Sequence, residues 1–430
     1  MPIQPAWLRD ISSIVFSVYY LLSPVQASAK VQHVLRNLTL QHIRVSWEKP
    51  STPCLSFLIK IGRPRKFTFA GRYTPRLLHI ARPAHPQSQS QTQTQTTQYV
   101  RAWLYFNGDE ASLARQDSVV LDFPGGGFVA GGPRGHDDRL LAWARVLGVP
   151  ILSIEYAKAP EDPYPTALWE GFDVYKAVVE SRGKCLGLDG ACCPRLVVTG
   201  DSAGGNLAVG TTFLAMQSGL VKPEGVFLAY PCLKVAVGSW LGKGEVDAIA
   251  SNLAGSNSSS NSEGIENRDR EDRLIASSIL THIHDRILTP EHMRALILLY
   301  VGRNADLATD YLLSPVLAPE SLLAEFPRTC FLAGECDPLV DDTLLFAGRL
   351  RQARSDVQVS LVPGVSHGFL QMAGIFPEGW VWIEQCAQWI GGFLDPAVGS
   401  GSGYAADSGS GHSSGAVLVK RVDKLVESLT

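Results

Sequence analysis

The sequence predicts an α/β fold with a mostly parallel sheet. Two observations carry this expectation: short β-rich runs alternate with helical patterns from residue 99 onward, and glycine-rich turns follow two of those runs directly. Residues 99–106, 118–123, 150–154, 196–199, 225–229, 329–332 and 357–362 read as strands. Between them, residues 136–147 place Leu140, Trp143, Ala144 and Leu147 at i, i+3, i+4 and i+7, one apolar helical face that Gly148 ends. Residues 207–216 read as another helix. A further helix runs from Met293 to Val301 behind Thr289-Pro290-Glu291, where Thr289 is the expected N-cap. Alternation of this kind implies a sheet covered on both faces.

Composition narrows the function classes. The 430 residues are 45% hydrophobic and 18% charged, ordinary for a globular chain, and 38 Lys plus Arg against 41 Asp plus Glu give a net charge of −3. Such a balance offers no field to hold nucleic acid, and a polyanionic substrate is not expected. The 8 Cys lack paired metal spacing, so neither a disulfide scaffold nor a zinc site is expected.

The chain divides into three parts. Residues 1–98 read as an N-terminal cap or membrane-associating region, ending in a Gln/Thr/Ser-rich linker over 86–98 that holds no apolar residue. Residues 99–395 read as the sheet domain, with an insertion over 233–290 whose stretch 252–273 is dense in Ser, Asn and charge. A Gly/Ser-rich flexible tail occupies 396–430. Near the N-terminus, residues 11–22 (ISSIVFSVYYLL) are apolar, and no charge falls between Asp10 and Lys30. The run is short of the roughly 20 residues a spanning helix needs. Packing on a membrane surface or under a lid is the preferred reading, and a signal peptide cleaved after Ala27-Ser28-Ala29 is the alternative.

Gly-x-Ser-x-Gly occurs three times, around Ser202, Ser366 and Ser413. A serine raised on a sharp turn for nucleophilic attack needs a strand immediately before it and a helix immediately after. Only Ser202 has both. The turn Phe123-Pro124-Gly125-Gly126-Gly127-Phe128 follows another strand and frees backbone N–H groups to converge on a developing negative charge, together with the N–H of Ala203 after the serine. Serine also needs a base and an acid to orient that base. His367 lies just past strand 357–362 and Asp337 just past strand 329–332, thirty residues apart, in the chain order Ser, Asp, His.

These residues resemble a known family. The turn from Phe123 to Val129, Tyr156-Ala157-Lys158-Ala159-Pro160-Glu161 with Pro163 and Pro165, and Gly200-Asp201-Ser202-Ala203-Gly204-Gly205-Asn206 all resemble motifs of the hormone-sensitive lipase family of α/β-hydrolases. So do residues 310–315 (DYLLSP), Asp337-Pro338-Leu339 and His367-Gly368-Phe369. The resemblance covers about 99–394. It implies an α/β-hydrolase fold, with a mostly parallel central sheet, helices on both faces and a helical cap. It further implies Ser202 as nucleophile, His367 as base and then acid, Asp337 as its partner, and Gly126, Gly127 and Ala203 as the oxyanion hole. No metal or organic cofactor is implied.

One departure stands out. The family writes His-Gly-Gly-Gly, and Pro124 occupies the position of that His. The expected function is a serine carboxylic ester hydrolase, an esterase or lipase acting on lipids or hydrophobic metabolites. The alternatives are a non-catalytic, receptor-like binding protein on the same fold and a relative crippled by Pro124. The expected location is the cytoplasm, at a membrane or lipid-droplet surface, with the secretory pathway as alternative.

Overall fold

The computed structural model describes residues 74–82, 99–236, 287–302, 305–373 and 378–395, Trp240, and isolated positions among 11–44 and 278–285. Its strands are β1 (Arg76–Ala81), β2 (Tyr99–Tyr105), β3 (Ser118–Phe123), β4 (Ile151–Glu155), β5 (Arg195–Asp201), β6 (Gly225–Ala229), β7 (Thr329–Gly334) and β8 (Val357–Val362). They form one eight-stranded sheet in the order β1-β2-β4-β3-β5-β6-β7-β8. β1 and β4 each pair antiparallel with β2, and every other neighbouring pair is parallel.

Alternation along the strands explains the two cores. Val119, Leu121 and Phe123 of β3 face the first, with α2 (Thr166–Glu180), α3 (Ala203–Gln217) and α5 (Val340–Gln352). Val120 points the other way, into a second core closed by α1 (Asp137–Leu147) and α6 (Glu378–Leu394). Successive side chains of a strand leave on opposite faces, so a strand covered on both sides is apolar at nearly every position. The helix predicted over 136–147 is α1, with Gly148 in the left-handed conformation at its C-terminus. α4 (Pro290–Val301) is capped by the Thr289 hydroxyl, which accepts from the His292 N–H.

All seven predicted strands are present, with ends displaced by at most two residues, but β1 was not predicted. It lies inside the region read as an N-terminal cap and pairs along its whole length with β2, so the sheet begins before residue 99. Residues 86–98 therefore connect two neighbouring strands of one sheet and do not separate two domains. That run, residues 241–277 and the tail 396–430 lie outside the described residues. Both ends of the insertion are tied to the start of α5: the Leu233 and Lys234 N–H groups donate to Asp342, and the Ser278 N–H to Asp341, each at 2.8 Å.

Candidate active site

Ser202 sits where β5 turns into α3. Its backbone, φ 55° and ψ −122°, lies where a side chain is strained by about 1–3 kcal/mol, so the surroundings must over-determine it. They do so through backbone bonds: the Ser202 N–H donates to Ala229 O, and Ser202 O accepts from the Gly205 and Cys232 N–H groups, each at 3.0 Å, and from the Asn206 N–H at 3.4 Å. The turn also brings α3 against the neighbouring strand. A Cβ on Gly204 would stand 1.9 Å from Phe123 O, so only glycine fits there. The Asn206 amide then donates to Cys232 O and Leu313 O, at 3.0 and 2.9 Å, fixing the chain beyond β6 and the 310–315 segment against the turn.

His367 and Asp337 arrive from the next two strands. β7 and β8 run parallel and in register from Thr329↔Val357 to Gly334↔Val362, so the turns that follow them emerge side by side. The Cys336 N–H donates to Val365 O at 3.0 Å and ties these turns together. His367 Nδ1 lies 2.9 Å from Asp337 Oδ2, and His367 Nε2 lies 2.8 Å from Ser202 Oγ. The other Asp337 oxygen accepts the Leu339 N–H at 2.8 Å. All three residues are buried. Burial pulls the His367 pKa down, but the charge and hydrogen bond of Asp337, helped by Asp285 and Asp201, outweigh it and leave the imidazole above its ordinary value. Tyr230 packs edge-on to the ring, centroids 4.9 Å apart.

The loop after β3 forms the facing wall. Gly126 and Gly127 have φ 137° and 58°. A Cβ on Gly126 would fall 2.0 Å from Ala130 O. Among the described residues, the N–H groups of Gly126, Gly127 and Ala203 donate to no protein acceptor. The Pro124 position supplies no such donor; its carbonyl accepts from the Tyr156 hydroxyl at 2.7 Å. The next residue, Gly125, donates its N–H to Asp201 Oδ1 at 3.0 Å, which links this loop to the residue before Ser202.

Asp201 is one member of a buried ion cluster that motif reading did not reveal. Arg139 Nη2 lies 3.1 Å from both Asp201 Oδ1 and Asp122 Oδ1, and Ser153 Oγ donates to Asp122 Oδ2 at 2.6 Å. Burial raises the Asp122 carboxyl to about 6 against the pull of Arg139. Burial also works against Asp201, but His136, Arg139, the Gly125 N–H and Gln371 outweigh it and hold that carboxyl low. The available signal was a carboxylate in an otherwise apolar strand, Asp122, and an arginine beside the apolar face of α1. Of the other motif serines, Ser366 points to Asp285, and Ser413 lies outside the described residues.

This geometry can be set beside known proteins. A family profile for the α/β-hydrolase fold matches residues 120–256 and 266–371, more than half of the chain. The chain belongs to that family. Among the relatives of this α/β-hydrolase is the hormone-sensitive lipase of Ictidomys tridecemlineatus, 33% identical over 206 residues, 46% of this chain and 26% of that one. The chain thus spans about a quarter of that lipase. An ethyl acetate hydrolase of Pseudomonas putida is 28% identical over 63% of this chain and 71% of its own. The fold is also that of a hyperthermophilic esterase from Pyrobaculum calidifontis, with a TM-score of 0.61 and 23% identity over 92% of this chain and 99% of that one. The α/β-hydrolase is of hormone-sensitive-lipase type.

Proposed function

We propose that this α/β-hydrolase is a serine carboxylic ester hydrolase, with Ser202 as nucleophile, His367 as base and then acid, and Asp337 as its partner. The N–H groups of Gly126, Gly127 and Ala203 act as oxyanion donors. The observation that carries this reading is the continuous hydrogen-bonded run from Asp337 through His367 to Ser202 Oγ. Ser202 Oγ attacks the ester carbonyl carbon while its proton passes to His367 Nε2, and the carbonyl electron pair moves onto oxygen, facing the free N–H groups. Collapse expels the alcohol, which takes the proton from His367 and leaves an acyl-Ser202. Water then attacks the acyl carbon, gives a proton to His367, and the acid departs as Ser202 is restored. The name of the ethyl acetate hydrolase relative supports the same reaction class.

The substrates proposed are hydrophobic acyl esters met at a lipid surface. Ile11, Val15, Val18, Leu22 and Val25 follow helical spacing and are all exposed, an apolar stripe suited to the interface of a membrane or lipid droplet. Among the described residues no helix is long and apolar enough to cross a membrane. Two measurements test the reading. An organophosphonate should label Ser202 stoichiometrically and abolish aryl-ester turnover; labelling elsewhere, or a protein that binds esters without cleaving them, refutes it. Deleting residues 1–29 should lower hydrolysis of emulsified lipid while leaving a water-soluble aryl ester within a few-fold, and equal loss on both removes the interfacial role.

A further inference from the structure

A second N-terminal segment touches the catalytic loop itself. Ile43 is buried in the main core, which fixes the start of Arg44 beside the site. The Arg44 guanidinium then bonds to acceptors on three residues of two distant segments. Nε donates to Val129 O at 3.1 Å, Nη2 to Ala159 O at 3.0 Å, and Nη1 and Nη2 to the two Glu161 carboxylate oxygens at 3.0 and 2.5 Å. An exposed ion pair alone contributes little. The two carbonyls matter more, because both belong to the chain that shapes the oxyanion loop.

Val129 ends a single backbone turn: its N–H and that of Ala130 donate to Gly126 O at 3.2 and 2.9 Å. The Ala159 N–H donates to Phe128 O at 3.0 Å, holding the same turn from the other side. In a planar trans peptide the C=O and the following N–H point in opposite directions, so fixing Gly126 O fixes the direction of the Gly127 N–H. Arg44 closes this frame by joining Val129 to Ala159 and Glu161. Arginine suits the task, because its rigid fork binds several acceptors in one plane.

We infer that Arg44 is a positioning residue for the oxyanion hole, through which the N-terminal region sets the rate of the chemical step as well as access to it. The inference rests on the ester-hydrolase reading above. In the full chain, Arg44→Ala should lower kcat on a water-soluble aryl acetate by about 10-fold to 100-fold, with KM changed by less than about 3-fold, as expected for a misplaced donor. Affinity for an aryl trifluoromethyl ketone, whose serine adduct carries the oxyanion, should fall in parallel. Hydrogen exchange of the amides at 125–130 should speed up, and Arg44→Lys, which reaches one carbonyl, should recover part of the loss.

A folded Arg44→Ala protein with unchanged kcat and ketone affinity overturns the inference, and so does a rise in KM alone. Should Arg44→Ala prove insoluble, Arg44→Lys at the full wild-type rate and ketone affinity overturns it equally. A wild-type chain that neither turns over esters nor reacts with phosphonate refutes the hydrolase reading instead. In that case the amide exchange still reports whether Arg44 holds the loop.

Discussion

Residues 200–204 and 364–368 share the pattern Gly-x-Ser-x-Gly, lie in adjoining parts of the site, and have different structures. At the first, β5 leads straight into α3, and the closeness of Phe123 O excludes any side chain on Gly204. At the second, β8 leads into a turn and not a helix. Gly364 has open space around it but a backbone φ of 68° that disfavours a side chain. The first pattern raises its serine toward His367. The second directs its serine to Asp285 and presents the neighbouring His367 instead. Identical glycines thus serve close approach in one turn and backbone conformation in the other.

The largest effect expected separates the two serines. Ser202→Ala should abolish ester hydrolysis, by about 10⁶ in kcat if triad behaviour elsewhere transfers, with the fold retained by circular dichroism. Comparable loss in Ser366→Ala would erase the distinction between the turns.

Asp337→Asn should follow, with a loss of about 10⁴ in kcat. The pH profile sharpens this result. Only the neutral imidazole can accept the Ser202 proton, so kcat/KM falls as the pH drops through the His367 pKa. Asp337 holds that pKa above the ordinary value of about 6.5, so the acidic limb lies above it in the native protein. Without the carboxylate charge burial is opposed by the smaller pull of Asp285 and Asp201, and the midpoint should move down. A midpoint that stays put after the substitution would show that Asp337 does not govern His367.

The glycines should differ in stability. Gly204→Ala forces a backbone clash and should cost about 3 kcal/mol or more, the upper range for overpacking. Gly364→Ala meets only an unfavourable φ and should cost about 1–2 kcal/mol. Urea unfolding of the two variants checks the order, and equal costs would mean that the crowding at Gly204 relaxes on substitution.

The smallest effect belongs to Ser366→Ala, which should leave soluble-ester turnover within a few-fold, because its hydroxyl bonds to Asp285 and not to His367. Steady-state rates on an aryl acetate test this directly.

What could be read in advance follows a physical pattern. Ser202 directly follows β5 and Asp337 lies shortly after β7, strands buried on both faces that announce themselves by apolar runs. His367 lies a short turn beyond β8, where Val357, Val359 and Leu361 alternate with Gln358 and Ser360. β1 gave no such run, since it edges the sheet and buries only Ile80. The Asp122–Arg139–Asp201 cluster was partly legible, as charge in apolar elements. Arg44 was not, because its acceptors include backbone carbonyls 85 and 115 residues away that carry no side-chain signature.

By itself the sequence determined the local states: which runs extend, which coil, and where a glycine must stand so that a turn can be sharp. Those outcomes depend on torsional preference and on neighbours within a few positions. Tertiary structure decided which serine meets His367. Ser202 and His367 are 165 residues apart, and their 2.8 Å contact exists because β5, β6, β7 and β8 lie side by side in parallel with their ends aligned. Tertiary structure also decided that the N-terminal region reaches the loop after β3 through Arg44. Contacts of this kind are fixed by sheet register and core packing, which sum weak preferences over the whole chain, so no short motif contains them.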